Sequence, residues 1–337
     1  MSRRIEVTTR DAAQFDFSCE AGQDVVSAAE AADITLPSQC RQGSCGACYA
    51  TVVAGDYDLR EYSPDVLASQ PDTVLLCCTV PRSDLRISLP CNSDKVVLHP
   101  VPKRAAQITA LETIAQNTVR LELTIAPDDP LGSAVEFEPG QFAVLEASGN
   151  GVLRSYSFAN TSNWDGRFEF LIRLLPQGKF SSWLRDSAKL GDVLTVRGPQ
   201  GSFGLIAGSL RPRWFVVGGT GLAPALSILR RMAEYQELED ARIFFGVSRE
   251  DELFMVDELR RLQEQLPQLK VDLCVWHSSD DWSGFRGTSV DALTQALAQT
   301  DVMPDIYACG PPVMIKSARD AALAAHVPAE QFVSENM

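Results

Sequence analysis

Three successive architectures are predicted: a small α+β domain around a cysteine-rich loop, an antiparallel β-barrel, and an α/β domain with a parallel sheet. Three observations predict them. Three cysteines crowd between Cys40 and Cys48, flanked by short alternating segments. The middle third alternates apolar and polar residues with a period of two, and the last third alternates short apolar runs with amphipathic, helix-period stretches. The expected boundaries are residues 1–98, a linker at 99–103, 104–207 and 208–337.

The bulk numbers agree with several ordinary cores. The chain has 337 residues, 45% of them apolar, enough for two or three domains. Arg3 and Arg4 are followed by Asp11 and Asp16 where an export signal needs an apolar run. No stretch approaches the ~18 apolar residues of a spanning helix. A soluble cytoplasmic protein with no membrane residence is expected. Nine cysteines without an export signal favour reduced thiols and metal ligation over disulfides, and Cys19, Cys91 and Cys274 read as buried thiols. A formal charge of -14, with no useful basic cluster, excludes nucleic acid as a partner. The charge either steers docking onto a basic patch of a protein partner or serves solubility alone.

In the first domain, Ile5–Thr8 and Phe15–Phe17 alternate like strands, and Asp24 opens a short helix over Val25–Ala29. Leu36-Pro37 leads into Cys40-Arg41-Gln42-Gly43-Ser44-Cys45-Gly46-Ala47-Cys48. This Cys-x4-Cys-x2-Cys spacing suits a loop around two bridged irons, with Gly43, Gly46 and Ala47 small enough for backbone amides to approach the sulfurs. A fourth ligand is expected from Val74-Leu75-Leu76-Cys77-Cys78, with Cys77 chosen and Cys78 in reserve. A zinc site or a disulfide framework is the duller alternative. Tyr49–Val53 and Leu85–Leu89 read as further strands. Leu98-His99-Pro100-Val101-Pro102-Lys103 marks the boundary, with His99 a linker residue without a metal role.

In the barrel, strands are expected at Val119–Leu123, Phe142–Leu145, Phe168–Ile172 and Val193–Val196, separated by turn residues such as Glu138-Pro139-Gly140 and Gly198-Pro199. Arg154-Ser155-Tyr156-Ser157 sets a cation, two hydroxyls and a flat aromatic within four residues. Arg154 suits a phosphate, Tyr156 stacking on a ring system and Ser157 a ring hydrogen bond. An ordinary alternating strand is the plain alternative. Gly178-Lys179-Phe180-Ser181-Ser182-Trp183-Leu184 begins a helix whose amides and hydroxyls suit a second phosphate contact. Together they point to a flavin site.

The last third places strands at Trp214–Val217, Ile243–Val247, Val271–Val275 and Asp305–Ala308, with helices near 223–235, 255–265, 289–298 and 312–325. Gly218-Gly219-Thr220-Gly221-Leu222-Ala223-Pro224 lies between a strand and a helix, where amides suit a pyrophosphate. Pro224 occupies the place of the usual third glycine, so the loop alone also fits a tight turn. Cys309-Gly310-Pro311-Pro312 ends a later strand, where open α/β sheets bind ligands.

This order of motifs resembles the ferredoxin-NAD(P)H reductase superfamily with a fused plant-type ferredoxin, over essentially the whole chain. Within it the chain is similar to the reductase components of bacterial multicomponent oxygenases. Cys274-Val275-Trp276-His277, Asp281-Trp282 and Phe168–Arg173 are similar in particular to soluble methane monooxygenase reductases. The resemblance implies a β-grasp 2Fe-2S ferredoxin domain, a FAD barrel and an NAD(H) domain. Electrons would pass from NADH through FAD and the cluster to the oxygenase or hydroxylase component. It places Cys309 near the nicotinamide and Ser157 near flavin N5, and it carries Glu335 over as the acidic residue near the chain's end; Met337 replaces the aromatic that often follows. Arg249 could meet a 2′-phosphate, but Glu250 and Asp251 beside it repel one, so NADH is expected. His277 has no derivable chemical role. The alternatives are a reductase for an aromatic-ring-hydroxylating dioxygenase, a flavin reductase with a zinc-bound docking module, and a regulatory nucleotide-binding protein without turnover.

Overall fold

The computed structural model describes residues 2–67, 73–147 and 151–336. The chain divides into two compact units, Met1–Pro102 and Lys103–Met337.

The first unit runs β1 (Arg3–Thr8), β2 (Gln14–Cys19), α1 (Val25–Ala31), β3 (Tyr49–Ala54), β4 (Tyr57–Leu59), β5 (Val74–Leu75), β6 (Thr79–Pro81) and β7 (Leu85–Ser88). Its sheet has the order β2-β1-β7-β3-β5, and β4 pairs with β6 apart from it. β1 and β7 are parallel, in the register Ile5↔Leu85 and Val7↔Ile87. That register aligns the apolar side of both strands, so Ile5, Val7, Leu85 and Ile87 pack with Val25, Val26, Ala28 and Ala29 of α1 in one core. Asp24 caps α1 by accepting from the Ser27 amide at 2.9 Å, a contact worth ~1 kcal/mol. Thr35 bridges Val97, which ties the segment after β7 back to this unit. Cys19 and Cys274 are buried as expected, but Cys91 is only partly so: it sits in the turn after Leu89, where the Arg10 amide uses its carbonyl.

The second unit begins with β8 (Lys103–Ala115), β9 (Thr118–Ile125), β10 (Phe142–Ala147), β11 (Leu153–Ser157), β12 (Arg167–Arg173), α2 (Lys179–Asp186) and β13 (Val193–Gln200). Their order is β11-β10-β13-β8-β9-β12, and an antiparallel bridge between Phe158 and Phe170 joins the two ends. The sheet thereby closes into a barrel without free edges. Inward-facing Ile108, Leu121, Leu123, Leu145, Phe158 and Phe170 fill it, together with Phe180 of α2.

The same unit continues with β14 (Arg213–Gly218), α3 (Leu222–Glu234), β15 (Ala241–Val247), α4 (Val256–Gln265), β16 (Leu269–Val275), β17 (Phe285–Arg286), α5 (Ser289–Leu297), β18 (Asp305–Gly310), α6 (Pro312–Ala324) and β19 (Phe332–Asn336). The sheet order is β17-β16-β15-β14-β18-β19, parallel throughout. Leu226, Leu229, Leu259 and Leu262 of α3 and α4 cover one face, and Leu293, Ala296, Ile315 and Ala318 of α5 and α6 the other. Central strands buried on both faces explain the continuous apolar runs of β14 and β18. From β14 the chain first winds outward through β15 and β16, then returns to β18 on the opposite side. The carboxyl ends of β14 and β18 therefore form the topological switch point where such sheets bind ligands. The segment Phe332–Asn336 that carries Glu335 is itself a strand, with Cys309 opposite Glu335. Met337 lies outside the described residues.

Candidate functional site

In the first unit, the loop between α1 and β3 brings the cysteine sulfurs together two and two. Cys40 contacts Cys45, and Cys48 contacts Cys77. One thiol of each pair donates to the other's sulfur, which lowers Cys40 to about 4 and Cys77 to about 7 and raises Cys45 and Cys48. The amide of Cys40 points at Cys45 Sγ at 3.5 Å and that of Gln42 at Cys40 Sγ at 3.4 Å. The amide of Gly43 faces Cys77. Backbone donors aimed at sulfur stabilise thiolates.

Glycine is required where the loop folds back. Gly43 has φ +69, and a Cβ there would lie 2.6 Å from Tyr62 Cβ and 2.8 Å from Cys78 Sγ. Arg41, held in an ion pair with Glu30, fixes the loop to α1. Cys78 Sγ turns to the Glu61 carbonyl at 3.7 Å and lies 3.7 Å from Cys77 Sγ. Among the described residues no group of three or more His, Cys, Asp or Glu is gathered for a single metal ion. Two sulfur pairs with amides turned toward them are the donor set of a bridged two-iron cluster, so the residues present fit a 2Fe-2S group.

In the barrel, β11 carries Arg154, Ser155, Tyr156 and Ser157 beside β10, in the register Phe142↔Ser157 and Leu145↔Arg154. The Tyr156 and Phe180 ring centroids are 5.4 Å apart, which sets β11 against the N-terminal turn of α2. Burial raises the Tyr156 phenol, so it stays neutral. Gly178 is the N-cap residue. Ser181 Oγ accepts from the Leu175 amide at 3.0 Å, and the Ser182 amide is taken by the Gly178 carbonyl at 2.7 Å, so the amides of the first turn, Lys179 to Ser181, are the ones a helix N-terminus offers an anion. Phe180 faces the barrel core and supports Tyr156. An arginine, a supported aromatic and a helix N-terminus together fit a flat dinucleotide.

The two loops at the switch point touch. A Cβ on Gly221 would lie 2.2 Å from the Cys309 carbonyl oxygen, so only glycine lets α3 start against the end of β18. Gly310 also lies against Gly218: a Cβ on it would be 3.2 Å from the Gly218 amide nitrogen. Gly218 and Gly221 thus meet Cys309, Gly310 and Pro311, with Gly219 and Thr220 in the turn between them and Pro224 buried in the first turn of α3. Met314, absent from the sequence expectations, supports both loops: its Sδ would be 2.7 Å from a Cβ on Gly218 and its Cε 2.8 Å from one on Gly310. Its only local signal is Pro312, which opens α6 and sets Met314 in the first turn.

Barrel and sheet meet at Ser157. Its Oγ donates to Glu335 Oε2 at 3.3 Å, and Glu335 stands opposite Cys309 across the β18–β19 pair. Burial raises the Glu335 carboxyl to about 8, with Ser157 opposing the rise. Burial and then the Glu335 charge raise Cys309 well above the ordinary thiol range. Burial thus favours the protonated carboxyl and thiol, and gathers them with the Ser157 hydroxyl in one buried cluster.

Three domain families match along the chain: a 2Fe-2S iron-sulfur cluster binding domain over residues 9–82, an oxidoreductase FAD-binding domain over 105–204 and an oxidoreductase NAD-binding domain over 215–320. Methane monooxygenase component C of Methylosinus trichosporium is 39% identical over 82% of this chain and 81% of its own length. The reductase component of propane 2-monooxygenase from Rhodococcus jostii is 33% identical over 98% of this chain and 92% of its own. Among solved structures, the ferredoxin reductase in carbazole 1,9a-dioxygenase matches with a TM-score of 0.75 and 26% identity, covering 100% of this chain and 99% of that one. With a cysteine loop, a dinucleotide barrel and a doubly wound sheet in this order, the chain belongs to the iron-sulfur flavoprotein oxidoreductases that serve as reductase components of multicomponent oxygenases.

Proposed function

We propose that the chain carries electrons from NADH through FAD and a 2Fe-2S cluster to the hydroxylase of a soluble methane monooxygenase-like system. The observation that carries this reading is the Ser157–Glu335–Cys309 cluster, where a barrel strand and the switch point of a nucleotide-binding sheet meet in one buried contact. FAD, when bound, takes the electron pair of a hydride and releases electrons singly, which reconciles a two-electron donor with a one-electron cluster.

The chain's own residues bind and orient. Arg154 and the N-terminal turn of α2 hold phosphates, and Tyr156, backed by Phe180, offers a face for stacking. Ser157 Oγ supplies a hydrogen bond at the flavin edge. The loops Gly218–Gly221 and Cys309–Pro311 receive the coenzyme, with Cys309 beside the nicotinamide. Glu335, neutral when buried, holds a proton at its carboxyl without placing a charge near the reacting ring. Cys40, Cys45, Cys48 and Cys77 would hold the 2Fe-2S cluster, which supplies a one-electron acceptor. NADH is favoured because Glu250 and Glu252 are held at the end of β15: Glu250 accepts from the Ser279 amide at 2.7 Å and Glu252 from the Ser248 amide at 2.9 Å. Carboxylates fixed there repel a 2′-phosphate.

Support for a monooxygenase partner is the 39% identity to a methane monooxygenase component. A ring-hydroxylating dioxygenase is the second reading, favoured by the match to a reductase of that class over the whole chain. Coupled turnover with each purified oxygenase separates the two. Iron and sulfide content separates both from a zinc-bound docking module: zinc without iron would overturn the proposed chain. NADH-driven reduction of cytochrome c is expected, and its absence in flavin-loaded protein would leave only nucleotide binding.

A further inference from the structure

We infer that Arg230, with Ser227, is a positioning residue that sets the reach between the coenzyme loops and the strand carrying Ser157. The inference deepens the proposed function and rests on it. Helix α3 begins at the loop Gly218–Gly221, and its Ser227, Arg230 and Glu234 recur at helical spacing on one face. That face grips residues 159–161, immediately after Ser157. Ser227 Oγ donates to the Asn160 carbonyl at 2.6 Å, and Arg230 Nη1 donates to the Ala159 carbonyl at 2.9 Å. Thr161 Oγ1 donates to Glu234 Oε1 at 2.5 Å. One rigid helix thus carries coenzyme amides at one end and holds the backbone beyond Ser157 at the other.

The grip is itself held from both sides. Arg230 Nη1 also donates to Glu169 Oε2 at 2.8 Å, and its Nε donates to Glu258 Oε1 of α4 at 2.8 Å. Glu169 on β12 is 3% exposed and accepts from Arg120 Nε at 3.1 Å. Its amide donates to Asn160 Oδ1 at 2.9 Å, and its carbonyl accepts from the Ala159 amide at 2.8 Å. Both backbone groups of Ala159 are therefore spoken for by this network. On this side a cleft of about 910 Å³, lined by Arg120, Glu169, Arg230 and Glu258, opens between barrel and helices. Beside the cleft, Ala159 and Leu171 of the barrel join the apolar cluster of α3, so packing holds the two together while the polar contacts fix the direction and register of the strand end. Lysine cannot reproduce the grip, since a single ammonium lacks the planar fork that reaches a carbonyl and two carboxylates at once.

Reaction between groups held on separate elements is sensitive to displacements of about 1 Å, which cost up to ~100-fold in rate. The test is stopped-flow reduction of the fully loaded protein by NADH. Arg230→Ala is expected to lower the rate at saturating NADH about 10- to 100-fold, with half-saturation within about threefold because the coenzyme loops are untouched. Arg230→Lys should restore part of the rate. Independently of turnover, amide exchange over residues 157–161 should quicken in Arg230→Ala while β14 and β18 stay protected. A rate within twofold of wild type, or a rise in half-saturation with no change at saturation, overturns the inference. Should Arg230→Ala not fold, Ser227→Ala removes one hydroxyl only: a several-fold loss of rate supports the positioning role, and an unchanged rate overturns it. Wild-type protein that NADH does not reduce strikes at the proposed function instead.

Discussion

Glu335 is a carboxyl that the fold keeps dry, and the consequence for stability has a definite sign. Burial raises it from an ordinary 4.5 to about 8, and its relative exposure is only 8%, so solvent screening is slight. The folded chain holds this proton more tightly than the unfolded chain. Between the two values the folded state therefore binds more protons, and stability falls as pH rises. The contribution is fully present below about pH 4.5 and is lost as pH climbs through about 8. At about 1.4 kcal/mol per pKa unit, the interval amounts to on the order of 4–5 kcal/mol, most of it spent by neutrality. Glu335→Gln keeps the shape and removes the titration. Thermal unfolding of the full chain across pH 5 to 9, wild type against variant, checks this. The midpoints should lie closest together at pH 5, with the variant increasingly the more stable as pH rises toward about 8 and the gap level above it. Parallel curves over the whole range would refute the assignment of Glu335 to a buried contact.

Four further substitutions probe the rest of the site. Cys77→Ser should lose iron, because Cys48 loses its partner sulfur, while Cys78→Ser should keep it; equal loss in metal analysis would show that the pairing is misassigned. Gly43→Ala, strained by its φ and by contact with Tyr62, should lower iron content severalfold while leaving flavin content unchanged, and normal iron loading would contradict the loop geometry. Gly221→Ala forces a Cβ against the Cys309 carbonyl, an overpacking of ~1–3 kcal/mol; half-saturation for NADH should rise at least about tenfold with flavin retained, and unaltered kinetics would mean the two loops do not form one coenzyme surface.

Features that rest on neighbours in sequence were legible before the structure. The Cys-x4-Cys-x2-Cys spacing, the Asp24 cap and the glycine loop after β14 are each completed within a few residues, so composition and spacing report them. What depends on distant partners was not. Val333-Ser334-Glu335-Asn336 carries too few apolar residues to announce a strand, yet it pairs with β18, and the hydrogen bond from Ser157 to Glu335 spans 178 positions. The Arg230–Glu169 pair spans 61 positions, and nothing local distinguishes Arg230 from Arg231 beside it. The β4–β6 pair escaped notice because three-residue strands are too short to show a period, and β6 ends on a proline. Cys91 was expected in a core and instead lies in a half-open turn, since a cysteine's chemistry does not reveal its burial.

The central claim is that one chain takes electrons in pairs and passes them on singly. Anaerobic titration of the purified, loaded protein with NADH, followed by visible absorbance and by low-temperature electron paramagnetic resonance, tests it most directly. The account predicts bleaching of a flavin and the appearance of a reduced two-iron signal in the same sample, and Cys77→Ser abolishing the second while retaining the first. Flavin bleaching in wild-type protein that carries iron and sulfide, with no cluster signal at any NADH excess, would contradict it.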